Sequence, residues 1–165
     1  MSRRKHGHNQ KSGHRNISEK SMRYVRGQLI EGPHTSKVCI GFDSHEDDRQ
    51  IVVKCPQLAM NARVEIEALA RLQGNDSIVS LLDFFHENDT THIVFNYVHG
   101  LDLIDWMHDF YQEKDRTETE IETEMRPVIL QIIKALAFCH ERGIAHRDIK
   151  PDNIRINPET KHVTL

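Results

Sequence analysis

Eight consecutive residues, His146-Arg147-Asp148-Ile149-Lys150-Pro151-Asp152-Asn153, bring an acid, a base and an amide together at a spacing that suits phosphoryl transfer. Asp148 can take the proton of an attacking hydroxyl. Lys150, two residues on, can reach a phosphate oxygen. Asn153, five residues past the Asp, offers a neutral oxygen to a metal ion. A chance polar turn would require neither these residue types nor this spacing.

Such groups work only if secondary structure holds them. Upstream, Lys37-Val38-Cys39-Ile40-Gly41 and Ile51-Val52-Val53-Lys54 flank an acidic turn and predict a hairpin with a polar loop. A helix follows over 60–72, with Gly74 placed to end it. On it Ala62, Glu65, Leu69 and Leu72 share a face, so Glu65 is a carboxylate among apolar neighbours, costly unless it meets a cation. Glu67 is the competing carboxylate, on a more polar face. Two strands are predicted over 78–84 and 91–97. After Gly100 the pattern turns helical: a short amphipathic stretch over 101–111 holds the single Trp, Trp106. A wide stripe of Ile121, Met125, Val128, Ile129, Ile132, Ile133 and Leu136 then runs toward Gly143. Pro127 is expected to kink that helix or to mark its true start. A last strand pair, 154–157 and 162–165, follows the polar loop.

This order of elements, with the loop at 146–153, resembles the front half of a eukaryotic protein kinase of the Ser/Thr branch. The resemblance implies an α+β fold: a small antiparallel β lobe with one helix, a hinge, and the first part of a mainly helical lobe. Residues 1–20 would be a disordered basic tail, 21–98 the small lobe and hinge, and 99–165 the start of the large lobe. It implies ATP and Mg²⁺ as cofactors and a protein substrate bearing a Ser or Thr hydroxyl. Asp148, Lys150 and Asn153 would be catalytic, with Asn153 also a metal ligand, while His146 and Arg147 look structural or regulatory. Lys at 150 is similar to the Ser/Thr-directed rather than the Tyr-directed pattern. Lys54 would reach the α- and β-phosphates, with Glu65 as its partner. Phe95-Asn96-Tyr97-Val98 would be the hinge, where backbone groups of Asn96 and Val98 bond adenine behind a bulky Phe95. Asp102 would meet the ribose.

Three departures stand out. The glycine-rich loop of the family would fall on residues 30–38, where only Gly32 and Val38 correspond, with one residue too many between them. Ile30, Pro33 and Thr35 hinder the close approach of backbone N–H groups to phosphates. Val52 replaces a small residue at the roof of the adenine slot. Arg155 replaces an apolar floor, and its guanidinium is expected to stack on the base. The sequence ends at Leu165, twelve residues after Asn153 and before an Asp-Phe-Gly. The expectation is a truncated kinase whose Ile129/Ile133 stripe is left open to a regulatory partner. The alternative is a weakly active or inactive pseudokinase-like interaction module. A P-loop NTPase is excluded, since no G-x-x-x-x-G-K-[ST] occurs.

The bulk properties fit. With 165 residues, 38% hydrophobic and 28% charged, the chain suits a single globular domain. Residues 1–20 carry six basic side chains against Glu19 alone, a charge of +5, which leaves −8 for the rest of a chain that totals −3. An acidic body argues against nucleic acid as a partner. Arg3-Arg4-Lys5 matches a weak nuclear signal, though a solvated tail is the better reading, and His6, His8 and His14 lack a supporting ligand framework. No run is long enough to span a membrane and no signal peptide is present. Three scattered cysteines, Cys39, Cys55 and Cys139, suggest reduced thiols in the cytoplasm or nucleus.

Overall fold

The computed structural model describes residues 19–30, 36–112 and 116–165. The tail expected over 1–20, its three histidines and Gly32 fall almost wholly outside those residues. Glu19 and Lys20 are the exception. They begin a short helix, α1 (Glu19–Arg23), which Lys20 ties to Asp83 at 2.6 Å.

Strands β1 (Tyr24–Ile30), β2 (Ser36–Asp43) and β3 (Arg49–Pro56), helix α2 (Ala59–Arg71), and strands β4 (Leu81–Glu87) and β5 (Thr90–Asn96) build the small lobe. The five strands form one antiparallel sheet in the order β1-β2-β3-β5-β4. Alternation on β3 assigns its residues to two faces. Ile51 and Val53 are fully buried with Tyr24, Phe85 and Val94 on the outer face. Val52 and Lys54 point to the inner face, where Ile93 and Phe95 of β5 meet Ala62 and Leu69 of α2 and Leu72 at its C-terminal cap. The polar hairpin turn holds an anchor that composition concealed. Asp43 is completely buried and accepts two bonds of 2.7 Å from the Arg23 guanidinium.

The strand predicted over 78–84 begins three residues later. Residues 77–79 run instead beside the last residue: Val79 N–H donates to Leu165 O and Leu165 N–H to Ser77 O, both at 2.9 Å. The helical part comprises α3 (Leu103–Gln112) and α4 (Glu118–Glu141), with a three-stranded sheet of β6 (Leu101–Asp102), β7 (Arg155–Ile156) and β8 (Val163–Thr164) beneath them. Trp106 and Phe110 of α3 stack and are buried against Val128 and Ala135 of α4.

Pro127 neither starts nor breaks α4, contrary to expectation. The helix begins nine residues earlier at a capping box: Glu120 N–H donates to Thr117 Oγ1, and Thr117 N–H donates to Glu120 Oε2 at 2.8 Å. A strong cap supports the acidic first turns, and Pro127 removes only one internal donor.

Candidate active site

Lys54 and Glu65 meet. The Lys54 ammonium donates to Glu65 Oε1 at 2.7 Å, which answers the problem of a carboxylate on the apolar face of α2. Glu67 is held elsewhere, by Arg63 on the exposed side of the same helix. The strand places Lys54 because β3 is clamped on both sides, opposite Val38 on β2 and opposite Ile93 on β5.

The polar loop has a defined internal geometry. Asn153 Nδ2 donates to Asp148 Oδ2 at 2.7 Å and to Asp148 O at 3.0 Å. With its nitrogen used twice, the amide retains its oxygen as an acceptor for another partner. His146 Nδ1 accepts from Asp148 N–H at 3.4 Å, and burial pushes the His146 imidazole below its usual range, against the opposing pull of Asp148. Arg147 sits at φ 69°, in the left-handed region, so the backbone turns sharply just before Asp148. Lys150 is extended and exposed, leading into a 3₁₀ turn at Pro151–Asn153. The buried Ile154 anchors the end of the loop, its carbonyl accepting from Leu103 N–H at 2.7 Å.

The hinge residues follow β5. Phe95 is buried between Val52 and Leu81 in register. Asn96 N–H donates to Ser80 O at 3.1 Å and its Oδ1 accepts from Ser80 N–H, which ties the end of β5 to the residue before β4. Val98 is half-buried just beyond. Arg155 is held at its edge: Nη1 donates to Asp102 Oδ1 at 2.7 Å and Nη2 donates to the Gly100 carbonyl. The cause is register, since β6 and β7 place Asp102 directly opposite Arg155. Asp102, expected to meet a ribose, gives one carboxylate oxygen to Arg155 and is 40% exposed.

The family profile described as "Protein kinase domain" matches residues 37–165. The chain belongs to the protein kinase family. It is 36% identical over 90 residues to "MAP kinase-interacting serine/threonine-protein kinase 2" of Xenopus laevis, across 54% of this chain and 18% of that relative. It is 33% identical over 93 residues to "CDPK-related kinase 8" of Arabidopsis thaliana, across 56% of this chain and 14% of that relative. The matched stretch therefore spans less than a fifth of either relative. The kinase fold read from the sequence, a small antiparallel lobe with one helix followed by the start of a helical lobe, is the fold observed, with five strands in the small lobe.

Several residues that hold this kinase site gave no signal in the sequence. Gln131 of α4 donates from Nε2 to Lys161 O at 2.8 Å and accepts at Oε1 from Val163 N–H at 3.1 Å, pinning the β7–β8 turn to the helix. Gly100, at φ 130°, lets the chain pass so close to β7 that a β-carbon there would overlap Ile156 O. Among the described residues no helix is long and apolar enough to cross a membrane, and no cluster of three metal-type side chains occurs.

Proposed function

We propose that this chain carries the nucleotide-positioning and catalytic-loop residues of an ATP-dependent protein Ser/Thr kinase working in the cytoplasm or nucleus. The observation that supports it most is the twofold bond from Asn153 Nδ2 to Asp148, which fixes the acid and keeps the amide oxygen as an acceptor for a cation. Asp148 accepts the proton of a Ser or Thr hydroxyl as that oxygen attacks the γ-phosphorus and ADP leaves. Lys150 neutralises charge on the transferred phosphoryl group, and Lys54, held by Glu65, steadies the α- and β-phosphates. The carbonyl of Asn96 and the backbone of Val98 take the adenine beneath Val38 and Val52. The donor set suits Mg²⁺ in part: Asn153 Oδ1 is one hard neutral ligand, and phosphate oxygens and water complete such shells. When bound, the ion would neutralise charge on the phosphates.

The test is transfer of labelled γ-phosphoryl from Mg-ATP to Ser, Thr and Tyr peptides. The expected result is labelling of Ser and Thr peptides, reduced by at least ~10²-fold in Asp148→Asn with ATP binding retained. A pseudokinase-like interaction module is the second reading, favoured by the Arg155–Asp102 pair and by exposed Ile129, Leu130 and Ile133 on α4. Mg-ATP at about 100 times its dissociation constant stabilises a binder by roughly 2.7 kcal/mol. Absence of any Mg-ATP melting shift, together with absence of transfer, would establish the module instead.

A further inference from the structure

On the face of the small sheet turned away from Lys54, a thiol, an imidazole and a carboxylate lie in sequence. Cys55 follows Lys54 on β3, so its side chain projects to the outer face with Ile51 and Val53. It stands one rung beyond the Lys54–Ile93 pair, and its Sγ lies 2.9 Å from His92 Nδ1. Across the ring, His92 Nε2 is 4.0 Å from Glu87 Oε2. Neither partner is loose. His92 is buried and stacked on Phe85 with centroids 4.7 Å apart, while Glu87 accepts from Arg26 Nη2 at 2.7 Å and from the Ser21 hydroxyl. Cys55 itself is only half-buried and can be reached from solvent.

We propose that Cys55, His92 and Glu87 form a covalent modification site for soft electrophiles of the α,β-unsaturated carbonyl class. The sulfur bonds to the β-carbon while its proton passes to His92 Nδ1. The enolate so formed takes a proton back at the α-carbon, so nothing leaves and no co-reactant is needed. Glu87 supports the transient imidazolium, against Arg26 and His86 nearby. Burial pushes the Cys55 thiol up and the His92 imidazole down, so the resting pair is a neutral thiol beside a neutral ring, and reaction depends on the base at the moment of attack. Addition fits better than oxidation to a disulfide. The second thiol on this face, Cys39, stands opposite Val53 and so is diagonal to Cys55. Diagonal neighbours lie about 7–8 Å apart, beyond the reach of a relaxed disulfide.

Cys39 provides the internal reference, being half-buried on the same face with no imidazole contact among the described residues. The intact protein is treated with N-ethylmaleimide and each cysteine is followed by peptide mass spectrometry. Cys55 should react at least about tenfold faster than Cys39. In His92→Phe, which keeps the ring stack on Phe85, it should fall to the rate of Cys39. An unchanged Cys55 rate in folded His92→Phe, or a Cys55 rate at or below that of Cys39 in the unsubstituted protein, overturns the proposal. If His92→Phe loses its melting transition, the ratio of Cys55 to Cys39 decides alone.

Discussion

Arg155 and Asp102 stand opposite one another and share hydrogen-bonding capacity: the guanidinium is anchored at its edge by Asp102 and Gly100, and one carboxylate oxygen is drawn away from a sugar hydroxyl. The pair is partly exposed, so its own strength is modest, at most about 1 kcal/mol. Arg155→Leu should therefore tighten Mg-ATP binding by up to about fivefold, measured by titration calorimetry; weaker binding would restore the stacking role. Lys54–Glu65 makes the opposite case. Both side chains are about 30% exposed, so Glu65→Gln should cost less than about 1 kcal/mol of stability. The same change should slow phosphoryl transfer more than tenfold, because the ammonium loses its anchor. Melting and initial-rate measurements on one variant separate these effects. Glu65 was legible as a carboxylate out of place on an apolar face. The pairing of Arg155 with Asp102 was not legible, because a strand of two residues carries no periodic signal from which to infer a partner.

At the level of elements, the ends of α4 and the crossing at Gly100 set the geometry more than any helix propensity does. Thr117→Ala removes the capping box and should cost about 1 kcal/mol, seen as a drop of about 2–4 °C in the circular-dichroism melting midpoint. Gly100→Ala combines an unfavourable φ with overlap on Ile156 O, and should cost about 2–3 kcal/mol. It should also weaken nucleotide binding, because Asp102 follows two residues later. The helix was visible in the sequence as an apolar stripe, but its start was not. The acidic run before Ile121 offered no apolar contacts, and only the reciprocal bonds of Thr117 and Glu120 mark the boundary.

For the molecule as a whole, the bond from the partly exposed Arg23 to the fully buried Asp43 joins α1 to the β2–β3 turn, so it should govern acid stability. The Arg23 guanidinium holds the Asp43 carboxyl below the usual range, more than offsetting the upward push of burial. A folded-state value below the unfolded one, about 3.9, gives stability that is present above that pH and is lost as pH falls through the folded value. Asp43→Asn should remove about 2–3 kcal/mol near neutral pH and flatten the stability profile below about pH 4, measured by urea unfolding across pH. The sequence alone determined the family, the Lys54–Glu65 pair and the Asp148–Asn153 loop, because hydrophobic periodicity and fixed local spacing are written along the chain. Only the tertiary structure decided the rest. Arg155 with Asp102, Arg23 with Asp43 and Cys55 with His92 are 53, 20 and 37 residues apart; strand register brings the first and last pairs together, and it brings Arg23 to Asp43 by pairing the next residue, Tyr24, with Asp43. A shift of one residue would turn every such side chain to the other face of its sheet.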